Sequence, residues 1–292
     1  MIQSSFLFVI NPRSGTRLQH GVEQVIAIIE EKVKEAGHTG QCVVTQAAGH
    51  ATQLAQQAVQ SNQWTTIVVV GGDGTVNEVA RAMVNSTISL GILPLGSGNG
   101  LARHLGIPLT LPESIDFLLQ SKPVFIDSAT LNGRPFFCVA GLGFDAYVGY
   151  LFSQQAQRGW GTYVKVSMNA YWNYMPQRVR VNQEEKQVYS ISFANAGQFG
   201  NNAWVAPQAD LTDGQLEVCT VLPFPKWYGT ALTYWLFTKQ MKTTDYISYQ
   251  SLSEIVVETE EPALVHYDGE PWRLNTTRIE VKIIPRSLLV QV

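Results

Sequence analysis

Three short glycine-bearing segments carry the residues best suited to chemistry: Asn11-Pro12-Arg13-Ser14-Gly15, Gly71-Gly72-Asp73-Gly74-Thr75 and Gly96-Ser97-Gly98-Asn99-Gly100. Each follows a short apolar run, respectively Phe6–Ile10, Ile67–Val70 and Leu90–Leu93. Glycine permits positive φ and close backbone approach, so successive N–H groups in such segments can face an anion, above all a phosphate. A helix expected from Val76 would add its positive end. Asp73 cannot face a phosphate without repulsion, so its expected task is to hold Mg²⁺ or an ordered water beside the phosphates. The bland alternative is a set of tight strand-to-helix turns, and three such segments weigh against it. Gly-x-x-x-x-Gly-Lys-Ser/Thr is absent, which excludes a P-loop. No Gly-x-Gly-x-x-Gly opens a helix after the first strand, which disfavours a Rossmann dinucleotide site.

The elements that must position these segments alternate. Val22, Val25, Ile26, Ile29 and Val33 have helical spacing, with Gly37 as a stop. Cys42–Thr45 reads as a strand, Ala51–Val59 as a helix and Val76–Val84 as another. Strands alternating with helices imply an α/β domain with a largely parallel sheet, whose carboxyl strand ends collect ligands. After about residue 125 the rhythm changes. Arg134–Val139, Val188–Phe193, Gln215–Leu222, Ile255–Thr259 and Arg278–Ile284 read as strands, and only Trp160–Tyr174 and Trp227–Lys239 as helices. The expectation is an α/β domain over 1–125, a mostly antiparallel β domain over 126–284, and a tail, 285–292, packing back on the first domain.

Composition bounds the partners. The 292 residues suit about two domains, and 45% hydrophobic against 15% charged residues supply a sizeable core. With 20 Lys and Arg against 23 Asp and Glu, no basic excess exists to neutralise a nucleic-acid backbone. Cys42, Cys138 and Cys219 are few and far apart, which fits a reducing compartment and neither a disulfide scaffold nor a cysteine zinc site. No apolar run approaches a membrane span, and the start lacks the basic region of a signal peptide, so a cytoplasmic protein is expected. His20, His38, His50, His104 and His266 show no ligand spacing and are assigned no role. Trp227–Phe237 and the group Tyr163, Tyr171, Trp172 and Tyr174, near Arg158 and Lys165, are rich in amphipathic rings. They suit either packing on the β domain or peripheral membrane contact.

Gly71–Thr75 with Val76-Asn77-Glu78 resembles the signature of the diacylglycerol kinase and sphingosine kinase superfamily, distant relatives of NAD kinases. Asn11–Gly15, Thr45 with Gly49-His50-Ala51, and Leu93–Arg103 resemble its other elements in this half. Gly141–Asp145, Asp210–Gly214 and Asp268-Gly269-Glu270 extend the resemblance over nearly the whole chain. It implies ATP on an α/β domain, a lipid in the cleft between domains, and phosphoryl transfer to a lipid hydroxyl. Asn11, Ser14, Thr45, Gly71, Gly72, Asp73, Gly74, Thr75, Asn77, Glu78 and Ser97 would then serve ATP or its metal. A structural Mg²⁺ would take the Asp213 carboxylate and the carbonyls of Asp210 and Gln215. Without the family, Asp213-Gly214 is a good turn before a strand.

The family assigns the Glu of Asp-Gly-Glu, here Glu270, as general base. Such a carboxylate accepts the hydroxyl proton as the alcohol attacks the γ-phosphate. The bland alternative is a β-hairpin with Asp-Gly at its turn and a solvated Glu. One departure stands out: bacterial diacylglycerol kinases carry Asn-Asp where this chain has Asn99-Gly100. That Asp belongs to a water network linking metal and nucleotide sides, and Gly-Ser-Gly-Asn is nearer the sphingosine and ceramide kinase form. The expected activity is therefore a Mg²⁺- and ATP-dependent lipid kinase acting on diacylglycerol or a related lipid. The alternatives are a sphingoid-base or ceramide kinase, NAD kinase, or an inactive lipid- or nucleotide-binding regulator. Homo-oligomerisation stays open.

Overall fold

A computed structural model describes residues 4–14, 21–155 and 160–292. Two compact units divide the chain, Met1–Asp127 with Pro285–Val292, and Ser128–Ile284.

In the first unit β1 (Ser5–Ile10), α1 (Val22–Glu35), β2 (Thr39–Val44), α2 (His50–Ser61), β3 (Thr66–Gly71), α3 (Asp73–Met83) and β4 (Ser89–Pro94) alternate, then α4 (Gly100–His104), α5 (Leu111–Gln120) and the start of β5 (Pro123–Leu131) follow. The strands lie in the order β2-β1-β3-β4, all parallel. β1, β3 and β4 are buried almost throughout, as parallel strands covered on both faces must be. Phe6, Phe8, Ile10, Val68 and Val70 pack with Val25, Ile29 and Val33 of α1 and with Ile115 and Leu118 of α5. Gly37, at φ +76°, ends the segment after α1 in the left-handed conformation that glycine adopts without strain.

The second unit adds β6 (Arg134–Phe136), β7 (Val139–Gly143), α6 (Phe144–Ser153), α7 (Trp160–Asn173), β8 (Gln177–Val181), β9 (Glu184–Val188), β10 (Ser190–Ala194), β11 (Leu216–Val221), α8 (Tyr228–Phe237), β12 (Ile247–Leu252), β13 (Glu254–Thr259), β14 (Leu264–Tyr267), β15 (Glu270–Arg273) and most of β16 (Arg278–Gln291). One antiparallel sheet runs β12-β11-β10-β7-β14-β15, and in a second β13 pairs with β16 and β8, and β8 with β9. Leu142, Ile191, Phe193 and Val265 from the first meet Val179, Ile255, Val257 and Val281 from the second in one apolar core.

Several expected elements differ. Arg134–Val139 is two strands, β6 and β7, because the backbone N–H groups of Phe137, Cys138 and Val139 turn to the Asp268 carboxylate. Val188–Phe193 is likewise split at Tyr189, whose N–H donates to the Val221 carbonyl and whose carbonyl accepts from Phe144. α6 was not expected: Phe-Asp-Ala-Tyr-Val-Gly-Tyr-Leu-Phe-Ser is apolar nearly all round and shows no helical period. The last strand continues past Ile284, and Val290 of β16 pairs in parallel with Leu90.

Candidate active site

The second glycine segment is less of a loop than its sequence suggests. Gly71 ends β3, Gly72 caps α3, and Asp73, Gly74 and Thr75 form the helix's first turn, three residues before the expected start at Val76. An acidic residue suits that turn, where the helix dipole is positive. The first glycine segment is tied to it. Asn11 Nδ2 donates to Thr75 Oγ1 at 2.8 Å, and the Gly72 N–H donates to Ser14 Oγ at 3.3 Å. Gly15 lies outside the described residues.

Asp73 holds the third segment. Its Oδ2 accepts the Asn99 N–H at 2.8 Å and its Oδ1 the Gly100 N–H at 2.6 Å. Burial pushes its carboxyl above the ordinary value, against the pull of those two N–H groups and of Arg103. The backbones are close enough to exclude side chains. A Cβ on Gly98 would stand 2.5 Å from Asp73 Oδ2, and one on Gly96 2.6 Å from the Gly72 Cα. These glycines are thus required by close approach, and Gly100 keeps an N–H bond to Asp73 where a bacterial diacylglycerol kinase would place an Asp. Ser97 stands exposed at the tip of the segment.

An open depression of about 170 Å³ is lined by Asn11, Arg13, Thr45, Gln46, Thr75 and Glu78, among others, where β1 and β2 end. Glu78 Oε2 accepts the Gly49 N–H at 3.1 Å, which fixes the start of α2. Arg13, exposed at this depression, escaped the sequence reading, which had only its place in Asn11–Gly15 as a signal. Asn77 is only 2% exposed and is not among the residues lining the depression.

Glu270, Asp210, Asp213 and Gln215 belong to the second unit. The hairpin geometry exists: β14 and β15 pair antiparallel with Tyr267 opposite Glu270, and Asp268 and Gly269 turn at φ +48° and +85°. A two-residue Asp-Gly turn with positive φ at both positions matches strand twist. Glu270 is not simply solvated. Its Oε2 accepts from Arg134 Nη2 at 3.2 Å, and the Arg134 guanidinium lies 4.7 Å from the ring centroids of both Tyr267 and Trp272.

Behind the turn lies a set of which the sequence had singled out only Asp145, as the end of Gly141–Asp145 and without a role. Asp145 Oδ2 meets Ser192 Oγ at 3.0 Å and His266 Nε2 at 3.2 Å, while the Gly269 N–H donates to His266 Nδ1 at 3.4 Å. An Nδ1 that accepts places the ring proton on Nε2, facing the carboxylate. His266, given no role from its spacing, thus supports the residue preceding Glu270. Its one sequence signal is its place two residues before Asp268.

Around the expected metal, Asp210 Oδ1 accepts from Thr212 N and Oγ1, each at 2.8 Å, and Asp213 Oδ1 accepts the Gln215 N–H at 2.9 Å. Both acids are exposed on a turn with Gly214 at φ +72°. Carboxylate and carbonyl oxygens alone, without sulfur or imidazole, fit a hard cation such as Mg²⁺. Of the two basic residues noted beside the second aromatic group, Arg158 lies outside the described residues.

Comparison with known proteins now decides the family. Residues 5–131 match the diacylglycerol kinase catalytic domain, and residues 138–292 match the YegS C-terminal NAD kinase beta sandwich-like domain. The chain belongs to the YegS-like lipid kinase family. A protein of Chromohalobacter salexigens named probable lipid kinase YegS-like is 30% identical over 82% of this chain and 80% of its own. A diacylglycerol kinase of Bacillus subtilis is 24% identical over 90% and 88% respectively. A solved structure of a diacylglycerol kinase from Bacillus anthracis superposes with a TM-score of 0.77 at 20% identity, covering 99% of this chain and 97% of that one. Membership in this family makes the chain a kinase with an α/β catalytic domain and a β-sandwich-like second domain.

Proposed function

We propose that this kinase transfers the γ-phosphate of ATP to a hydroxyl of diacylglycerol or a closely related lipid. The observation that carries the nucleotide assignment is the interlocked set at the start of α3. Asn11 bonds Thr75, Ser14 bonds Gly72, and Asp73 bonds Asn99 and Gly100, so three segments form one rigid frame around a helix N-terminus. Arg13 and Thr45, at the adjoining depression, supply a cation and a hydroxyl for the phosphates.

In the reaction the lipid oxygen forms a bond to the γ-phosphorus as the bond from that phosphorus to the β,γ-bridging oxygen breaks, and ADP leaves. The hydroxyl proton passes to the Glu270 carboxylate. Arg134 orients that carboxylate, and His266 steadies the turn behind it. Mg²⁺, held by Asp213 with the carbonyls of Asp210 and Gln215, would order the turn leading into β11; a nucleotide-bound Mg²⁺ beside Asp73 would neutralise phosphate charge.

The test is a radiolabelled transfer assay with Mg·ATP and separate acceptors: diacylglycerol, sphingosine, ceramide and NAD. Label in diacylglycerol is expected. Label in sphingosine or ceramide alone would assign the sphingoid-type activity to which Gly100 points, label in NAD would make the chain an NAD kinase, and no label in any acceptor would leave a binding regulator.

A further inference from the structure

Four tyrosines are buried among the described residues, Tyr174, Tyr189, Tyr228 and Tyr267, and they fall into two pairs. The Tyr228 hydroxyl donates to Thr244 Oγ1 at 2.8 Å, and the Tyr267 hydroxyl donates to the Leu131 carbonyl at 3.3 Å. The hydroxyls of Tyr174 and Tyr189 are buried with no hydrogen-bond partner. A hydroxyl taken out of water without a partner destabilises the fold, and phenylalanine would fill either place without that loss. Packing alone therefore does not account for tyrosine at these two positions.

The two are neighbours. Their rings meet edge to face at 5.2 Å between centroids, and the Phe144 ring packs against both, 5.5 Å from Tyr174 and 4.9 Å from Tyr189. Phe144 opens α6, its N–H donates to the Tyr189 carbonyl at 3.0 Å, and the next residue is Asp145. Asp145 in turn meets His266, which accepts from the residue preceding Glu270. The unpartnered hydroxyls thus belong to the same connected series as the proposed base, all of it within the second unit.

Chemistry selects what they can hold. Burial, and after it the Asp145 carboxylate, pushes the Tyr174 hydroxyl above its ordinary value; burial, and after it Tyr171 and Tyr174, does the same to Tyr189. Both phenols stay protonated and offer a proton, so the fitting partner is an acceptor oxygen. An anionic oxygen would be repelled by Asp145. An ammonium would need that carboxylate, whose oxygens are already taken. Oδ1 accepts the Ala146 N–H at 2.8 Å, and Oδ2 meets Ser192 Oγ at 3.0 Å and His266 Nε2 at 3.2 Å. A neutral acceptor remains, and in an acylated lipid that is the carbonyl of an ester or amide. Neither hydroxyl is tied by a hydrogen bond, so each ring can turn against its ring contacts alone to meet such an oxygen.

We propose that Tyr174 and Tyr189 grip an acyl carbonyl of the acceptor lipid and so select acylated acceptors over free sphingoid bases. The inference rests on the lipid-kinase reading and deepens it, so binding is measured without ATP as well as turnover with it. Full-length protein is titrated calorimetrically, in detergent micelles, with dioctanoylglycerol and with its dioctyl diether, which has no carbonyl. The diester is expected to bind about tenfold more tightly. Tyr174→Phe combined with Tyr189→Phe should bring the diester down to the affinity of the diether, and each single change should remove part of the difference. Melting temperatures should not fall, because phenylalanine keeps the ring contacts. With Mg·ATP, the same preference should appear in kcat/KM for the two glycerolipids, and short-chain ceramide should bind more tightly than sphingosine.

Equal affinity of the wild-type protein for diester and diether, or binding of neither, overturns the proposal and needs no variant. So does a preference that persists in the double variant, or tighter binding of sphingosine than of either acylated lipid. Diester-selective binding that the double variant loses, without label in any acceptor, upholds the carbonyl grip and removes the transfer reading. Label in diester and diether at equal kcat/KM, with equal affinity, keeps the transfer reading and removes the grip.

Discussion

Single residues in this protein are held by more than one partner, and the roles inferred for them follow from those partners. Asp73 has both carboxylate oxygens committed to backbone N–H groups of the third glycine segment, so its first duty is to fasten that segment to α3. A metal ion or water beside the phosphates would share a carboxylate already oriented by those bonds. The frame tolerates no added methyl at Gly98, where the carboxylate sits 2.5 Å from a Cβ position. Glu270 differs: its carboxylate pairs with Arg134, and its side chain is 46% exposed. If it is the general base, Glu270→Gln preserves shape and removes the proton acceptor. The turnover number should fall by about 100-fold or more, with Mg·ATP affinity by isothermal titration unchanged. Unaltered turnover would remove Glu270 from the mechanism.

At the scale of elements, the hairpin β14–β15 shows how one side chain sets a strand boundary. Asp268 accepts three successive N–H groups from residues 137–139, which ends β6 and lets β7 start in a new direction. Asp268→Ala would leave those donors without their acceptor in a partly buried place, at a cost on the order of 3 kcal/mol. Urea unfolding should show that loss, and Asp268→Asn, which keeps one acceptor oxygen, should recover part of it. This boundary could not be read from Arg134–Val139, because its cause lies about 130 residues away in the chain. The parallel strands were readable for the opposite reason: β1, β3 and β4 are buried on both faces and appear as continuous apolar runs. α1 was readable from the period of Val22, Val25, Ile26, Ile29 and Val33, while α6, apolar nearly all round, left no period to find. In the site, the glycine segments announced themselves by composition, but the bonds that join Asn11 to Thr75 and His266 to Asp145 are tertiary and have no local signature.

At the scale of the molecule, the first unit is built from two separate stretches of chain. Leu288 and Val290 are fully buried in it, and Gln291 Nε2 donates to Ser89 Oγ at 2.8 Å. The Arg286 N–H donates to Oδ1 of the buried Asp127 at 2.7 Å. Leu288→Ala should therefore destabilise the first unit by about 3 kcal/mol, the usual scale for emptying a fully buried leucine site. Hydrogen exchange should show the loss of protection in β4, and a β4 as protected as in wild type would show that the last strand contributes little. A ribosome delivers the residues of β1 to α5 first, then the whole second unit, and only afterwards the strand that lies beside β4. Nascent first units must consequently wait with the β4 edge of their sheet uncovered until the last residues of the chain arrive.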